Sequence, residues 1–157
     1  MNSRVTQFAF LFLFVISIFT ACKKEDEWAR INAINPEATV ANQLNEIVAA
    51  DNSCLLMTNN KSEIKVIFSS ENFAAVDNCN EVPDIDFSNS TLIVGKVEIL
   101  SISDKIGGVS LSQLNSTYKI EVTLDRCAEC EEGTGYAYFW RLFPKMESGY
   151  NLELDIN

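Results

Sequence analysis

The chain has 157 residues, 47% hydrophobic and 22% charged, with 12 basic against 22 acidic side chains, a net charge of −10 and no histidine. That length suits one domain with a real core. The acidic balance argues against nucleic acid, which needs basic patches, and the missing imidazole excludes Ser-His-Asp and Cys-His catalysis, His-ligated zinc and HExxH metalloprotease chemistry.

Residues 1–21 read as a signal peptide: Arg4, an apolar run from Phe8 to Phe19 broken only by Ser17, then Thr20-Ala21 before Cys22. The run falls short of the roughly 20 apolar residues of a spanning helix. A cysteine placed there resembles a bacterial lipoprotein processing site, with Cys22 as the lipidated residue. Its acyl chains, palmitate among them, would contribute about 0.8 kcal/mol per buried CH₂. Lys24-Glu25-Asp26 resembles the surface-export signal of Bacteroidota lipoproteins, which implies an outer-membrane anchor and the cell surface rather than the periplasmic face. Without residues 1–21, which carry only Arg4, 11 basic residues face 22 acidic ones.

Residues 22–33 read as a flexible tether and residues 34–157 as one globular domain. Asn35-Pro36-Glu37 is a helix start, and Val40, Leu44, Ile47 and Val48 recur at helical spacing, so the sequence predicts a helix over Pro36–Ala50. Cys54–Met57 and Ile64–Phe68 read as two short strands of a hairpin. Ser69 or Ser70 caps a short helix through Val76. Residues 79–89, rich in Asp and Asn around Pro83, are a loop. Thr91–Leu100 is an apolar strand with Ile93, Val97 and Ile99 on one face and Leu92 and Val94 on the other, the pattern of a strand inside a sheet. Gly95 marks a bulge or a close backbone approach.

Asp104–Gly108 reads as a loop, Val109–Gln113 as the start of a strand, and Asn115-Ser116 as a turn. Thr117–Asp125 alternates cleanly, with Tyr118, Ile120, Val122 and Leu124 inward. Residues 127–135 read as a hairpin tip, Tyr136–Phe143 as an aromatic strand and Leu152–Ile156 as a last strand. A helix followed by strands joined through short turns predicts an α+β fold, a mainly antiparallel sheet, sandwich-like, with one or two helices packed on it.

Four cysteines besides Cys22 suit disulfides in an exported chain. Of three connectivities, Cys54–Cys79 with Cys127–Cys130 is preferred; chain entropy gives about 3.5 and about 2 kcal/mol for the two loops. Cys127-Ala128-Glu129-Cys130 is also a candidate thiol-redox pair, although it lies between strands beside acids that raise a thiol pKa. Asp77, Asp84 and Asp86 lie in an oxygen-rich loop that suits calcium only loosely, because the spacing departs from the EF-hand and Asp is also a turn former. Tyr136, Tyr138 and Trp140 share one strand face, either a sheet face under a helix or a platform for sugar or protein.

Val82-Pro83-Asp84-Ile85-Asp86-Phe87-Ser88-Asn89-Ser90-Thr91-Leu92, followed later by Arg141-Leu142-Phe143-Pro144-Lys145, resembles recurring segments of small Bacteroidota lipoproteins. It is also similar, less closely, to the C-terminal domain of the PrcB-type protease-complex subunit, whose Gly-Gly-aromatic motif here reads Gly107-Gly108-Val109. The resemblance covers roughly residues 62–146. It implies a protein-binding or stabilising role and carries over no catalytic residue. The expectation is therefore a lipid-anchored envelope protein, not an enzyme, that binds a protein or glycan and needs no cofactor. The competing expectation is an envelope enzyme using the Cys127/Cys130 pair or paired carboxylates.

Overall fold

The computed structural model describes residues 27–49, 60–76, 83–147 and 149–157. Cys22, Cys54, Cys79 and Asp77 lie outside them, as does the Cys54–Met57 half of the expected hairpin. The described elements are strands β1 (Ala29–Ile31), β2 (Glu63–Ile67), β3 (Ser90–Ile99), β4 (Lys105–Leu114), β5 (Thr117–Asp125), β6 (Gly135–Pro144) and β7 (Asn151–Ile156), and helices α1 (Ala38–Ala49) and α2 (Ser70–Val76). The strands form two sheets, β1-β4-β5-β7 and β2-β3-β6. The fold is α+β, in three layers: helices, the three-stranded sheet, the four-stranded sheet.

Alternation along β3 sets this layering. Leu92 and Val94 pack with Leu44 and Ile47 of α1 and Phe73 of α2; Ile93, Val97 and Ile99 pack with Leu111, Tyr118, Ile120 and Val122 of the second sheet. Of the ten β3 residues only Glu98 is exposed. Each such buried Leu, Ile or Phe contributes about 1.5–3 kcal/mol relative to exposure. Gly95 is the close approach foreseen. It pairs with Phe139, and a Cβ built on it would lie 2.5 Å from Phe139 Cζ.

Several boundaries differ from the sequence expectation, each for a physical reason. The last tether residues, Ala29–Ile31, form β1 against Gln113, Ser112 and Leu111 of β4; Ile31 gains a place on the inter-sheet core. Helix α1 starts at Ala38 rather than Pro36. Ile34 is held extended by donating its N–H to Leu142 O at 2.6 Å, and a residue before proline avoids the helical region. Of the expected 104–108 loop, Asp104 stays in the turn and the rest is the start of β4, bulged between Ile106 and Gly108. At Gly107 a Cβ would collide with the Asp125 carboxylate, which is why glycine fits a bulge there. Asn115 makes the hairpin turn at φ 54°.

Two connections also differ. β2 pairs antiparallel with β3. The 127–135 tip is no hairpin: β5 belongs to one sheet and β6 to the other, so this stretch crosses between layers. β7 then returns to lie parallel to β5, where an antiparallel neighbour was expected. Side-chain alternation reports faces and is silent about neighbours.

The stretches around Phe68, Phe87–Thr91 and Lys145-Met146 meet at one corner. Lys145 Nζ donates to Phe68 O at 2.8 Å and Phe87 O at 2.7 Å. Lys145 N–H donates to Asn89 O, and Met146 N–H to Thr91 Oγ1. Phe87 is buried with its ring 6.5 Å from that of Phe73. These residues tie the ends of β2, β3 and β6 to one another and to α2.

Candidate functional site

The end of the molecule where β3 turns into β4 and β5 crosses to β6 is organised by one carboxylate. Asp104 is buried, 6% exposed. Its Oδ2 accepts the N–H groups of Leu100 and Ser101, both at 3.1 Å, and its Oδ1 accepts the Cys127 N–H at 2.9 Å. Three donors stabilise the charged form, so its pKa is held below the usual carboxylate value, chiefly by the Cys127 N–H, against the opposing effect of burial. Ser103 N–H bonds Ser101 Oγ, and Gly133 N–H bonds Leu100 O at 2.8 Å. The crossover is closed further by the Cys127–Cys130 disulfide, with Cα atoms 5.4 Å apart.

This clamp holds two apolar side chains out in water. Ile102 is 81% exposed and Leu100 57%. Beside them is a shallow recess of about 380 Å³ lined by Leu100, Glu132, Gly133 and Thr134. Glu132 is exposed, as are Glu129 and Glu131 earlier on the same connection. A hydrogen-bonded turn that presents apolar groups beside a glutamate suits contact with another macromolecule.

The aromatic set lies elsewhere. Tyr136, Tyr138 and Trp140 do share the helix-side face of β6, each half-buried. Trp140 Nε1 donates to Asn45 Oδ1 of α1 at 2.8 Å, and Trp140 and Tyr138 pack on the helix-side core. Tyr136 lies 4.8 Å beneath the Lys96 ammonium, itself buried. The helix-facing position applies to the Trp140 end of this face.

Asp84 and Asp86 are exposed in the loop before β3. The Asp86 carboxylate accepts Ser88 N–H, Ser88 Oγ–H and Asn89 Nδ2–H, which lowers its pKa, the Ser88 hydroxyl most. Its oxygens thus serve a local turn. Among the described residues no three acidic or cysteine side chains converge on one point. Cys127 and Cys130 are joined to each other in a connection that carries no helix.

Sequence reading missed Leu100, Ile102 and Asp104, because Leu100 looked like the last residue of an apolar strand. The signal was present in Ser101-Ile102-Ser103-Asp104, where three side-chain oxygens able to bond local backbone surround one isoleucine. Comparison with protein-family models, with curated proteins and with solved structures finds no match to this chain.

Proposed function

We propose that this chain is a lipid-anchored envelope protein that holds a partner protein, without chemistry of its own, through the Leu100–Ile102 turn. The observation that carries the reading is the Asp104 clamp: buried hydrogen bonds are spent on fixing a turn whose exposed product is two aliphatic side chains. Apolar groups at such a position suit an apolar pocket, and Glu132 beside Leu100 favours a basic group at its edge. Anchoring is supported by the Cys22 segment and by Lys24-Glu25-Asp26, which together favour the outer membrane and its outer surface. The likeness to small Bacteroidota lipoproteins, and more distantly to a protease-complex accessory subunit, agrees with a holding role.

Two substitutions test the two halves. Cys22→Ser is expected to move the chain from the membrane fraction to the soluble fraction. Ile102→Asp is expected to leave anchoring and thermal stability unchanged and to abolish retention of the partner after mild cross-linking. A chain that starts at residue 1 and carries no acyl group in intact mass spectra contradicts the anchor. Purified protein that turns over a substrate at useful rates contradicts the non-enzymatic reading.

A further inference from the structure

β7 is the outer strand of its sheet, and among the described residues no strand pairs with its far edge. Asn151 N–H bonds Ser116 O, Asn157 N–H bonds Val122 O, and Asn157 O accepts Leu124 N–H. In a parallel ladder the two backbone groups of one residue turn to the same neighbour and those of the next residue turn away. Residues 151, 153, 155 and 157 therefore bond β5. The N–H and C=O groups of Leu152, Leu154 and Ile156 face the open edge.

The side chains add an apolar floor. Leu152 and Leu154 are register partners of Tyr118 and Ile120, so they lie on the inner face of the sheet. Among the described residues the opposing sheet has three strands against four. Its β2 edge is on this side: Phe68, just after β2, has its ring 5.7 Å from that of Tyr150, just before β7. Ile64 and Val66 of β2 are themselves only half-buried. Leu152 and Leu154 are left 39% and 42% exposed. Among the described residues the seam between β2 and β7 offers both parts of a strand-addition site, unpaired backbone and a half-covered apolar surface.

Charge selects the occupant. On the outer face β7 presents Glu153 and Asp155 beside Glu121 of β5. Lys119 is already shared, 2.8 Å from Glu121 and 3.0 Å from Asp155. A second copy pairing through β7 would set these acids against themselves, and like charges on neighbouring strands destabilise. We infer that β7 is the acceptor edge for an extended partner segment in which apolar residues alternate with lysine or arginine. Its apolar residues would cover Leu152 and Leu154, and its cations would lie along Glu153 and Asp155. This edge is distinct from the Leu100–Ile102 turn and does not depend on it.

The test uses the full chain and a capped eight-residue peptide alternating valine with lysine, with a valine/glutamate peptide of equal length as control. The lysine peptide is expected to bind at least tenfold more tightly by fluorescence anisotropy and to slow amide exchange at Leu152, Leu154 and Ile156 at least tenfold. Leu154→Pro removes one outward N–H while sparing the odd-numbered bonds to β5, and is expected to abolish binding. Glu153→Lys, at an exposed position that does not challenge folding, leaves two acids against two lysines on this face and is expected to erase the preference between the two peptides. Unchanged exchange at these three amides under saturating peptide overturns the inference, as does equal binding of both peptides or a Glu153→Lys chain that keeps the original preference. Concentration-dependent dimerisation of the peptide-free chain that Leu154→Pro abolishes would make a second copy the occupant and overturn it too.

Discussion

β3 (Ser90–Ile99) has a strand on either side and a layer on either face, and nine of its ten residues are sheltered; β7 (Asn151–Ile156) has one neighbour among the described residues, and its first four residues are exposed. Both are alternating strands rich in Leu, Ile or Val. β3 is the place where the two cores meet, with Val94 and Ile93 each fully buried on opposite faces. β7 puts the same kind of side chain at the lip of a sheet that overhangs its partner. The contrast teaches that residue type sets which face a side chain takes, while the strand's place in the sheet sets whether that face is core or contact surface.

The largest expected effect lies at the centre. Ile93→Ala leaves a cavity between two sheets and is expected to cost about 4 kcal/mol in urea unfolding, whereas Leu154→Ala on β7 should cost less than about 1 kcal/mol. Equal losses would break the comparison. Gly95→Val drives a side chain into the Phe139 ring and is expected to cost about 3 kcal/mol; Gly108→Ala, with nothing within 4 Å of its new Cβ, should be close to neutral in the same titration. Reduction of Cys127–Cys130 is expected to lower stability by roughly 2 kcal/mol on the chain-entropy account, read as a shift in thermal midpoint with and without reductant.

The most local effect depends on pH. Asp104 has a pKa lowered in the folded state, so its ionised form is favoured by folding. That contribution is complete above the unfolded value of about 4 and is lost as pH falls through the lower folded value. Asp104→Ala should therefore flatten the acid limb of the stability profile below about pH 4. It should also speed amide exchange at Leu100, Ser101 and Cys127 while leaving Ile93 and Val94 protected. An acid limb identical to that of the parent chain would remove Asp104 from its role as the clamp.

Much of the fold was legible where the code is local. β5 falls on Thr117–Asp125 as read, with Tyr118, Ile120, Val122 and Leu124 buried. Ser69 caps α2 by accepting the Asn72 N–H at 3.1 Å. What escaped depends on distant partners. Ala29–Ile31 has too few residues to show a period, and only β4 makes it a strand. The parallel register of β7 on β5 and the crossover of residues 127–134 between sheets leave no trace in alternation. The candidate site escaped for a related reason. Ile102 reads as one more aliphatic residue after a long apolar run, and only the buried Asp104, reaching from β3's turn to Cys127 across 23 positions, turns it outward.

The most direct measurement is site-specific photo-cross-linking in intact cells, with the reactive group at Ile102 and, as reference, at exposed Thr123 on the outer face of β5. The account predicts one discrete protein adduct from position 102, lost when Leu100→Asp is added, and none from position 123. Adducts of equal number and yield from both positions, or none from position 102, would contradict it.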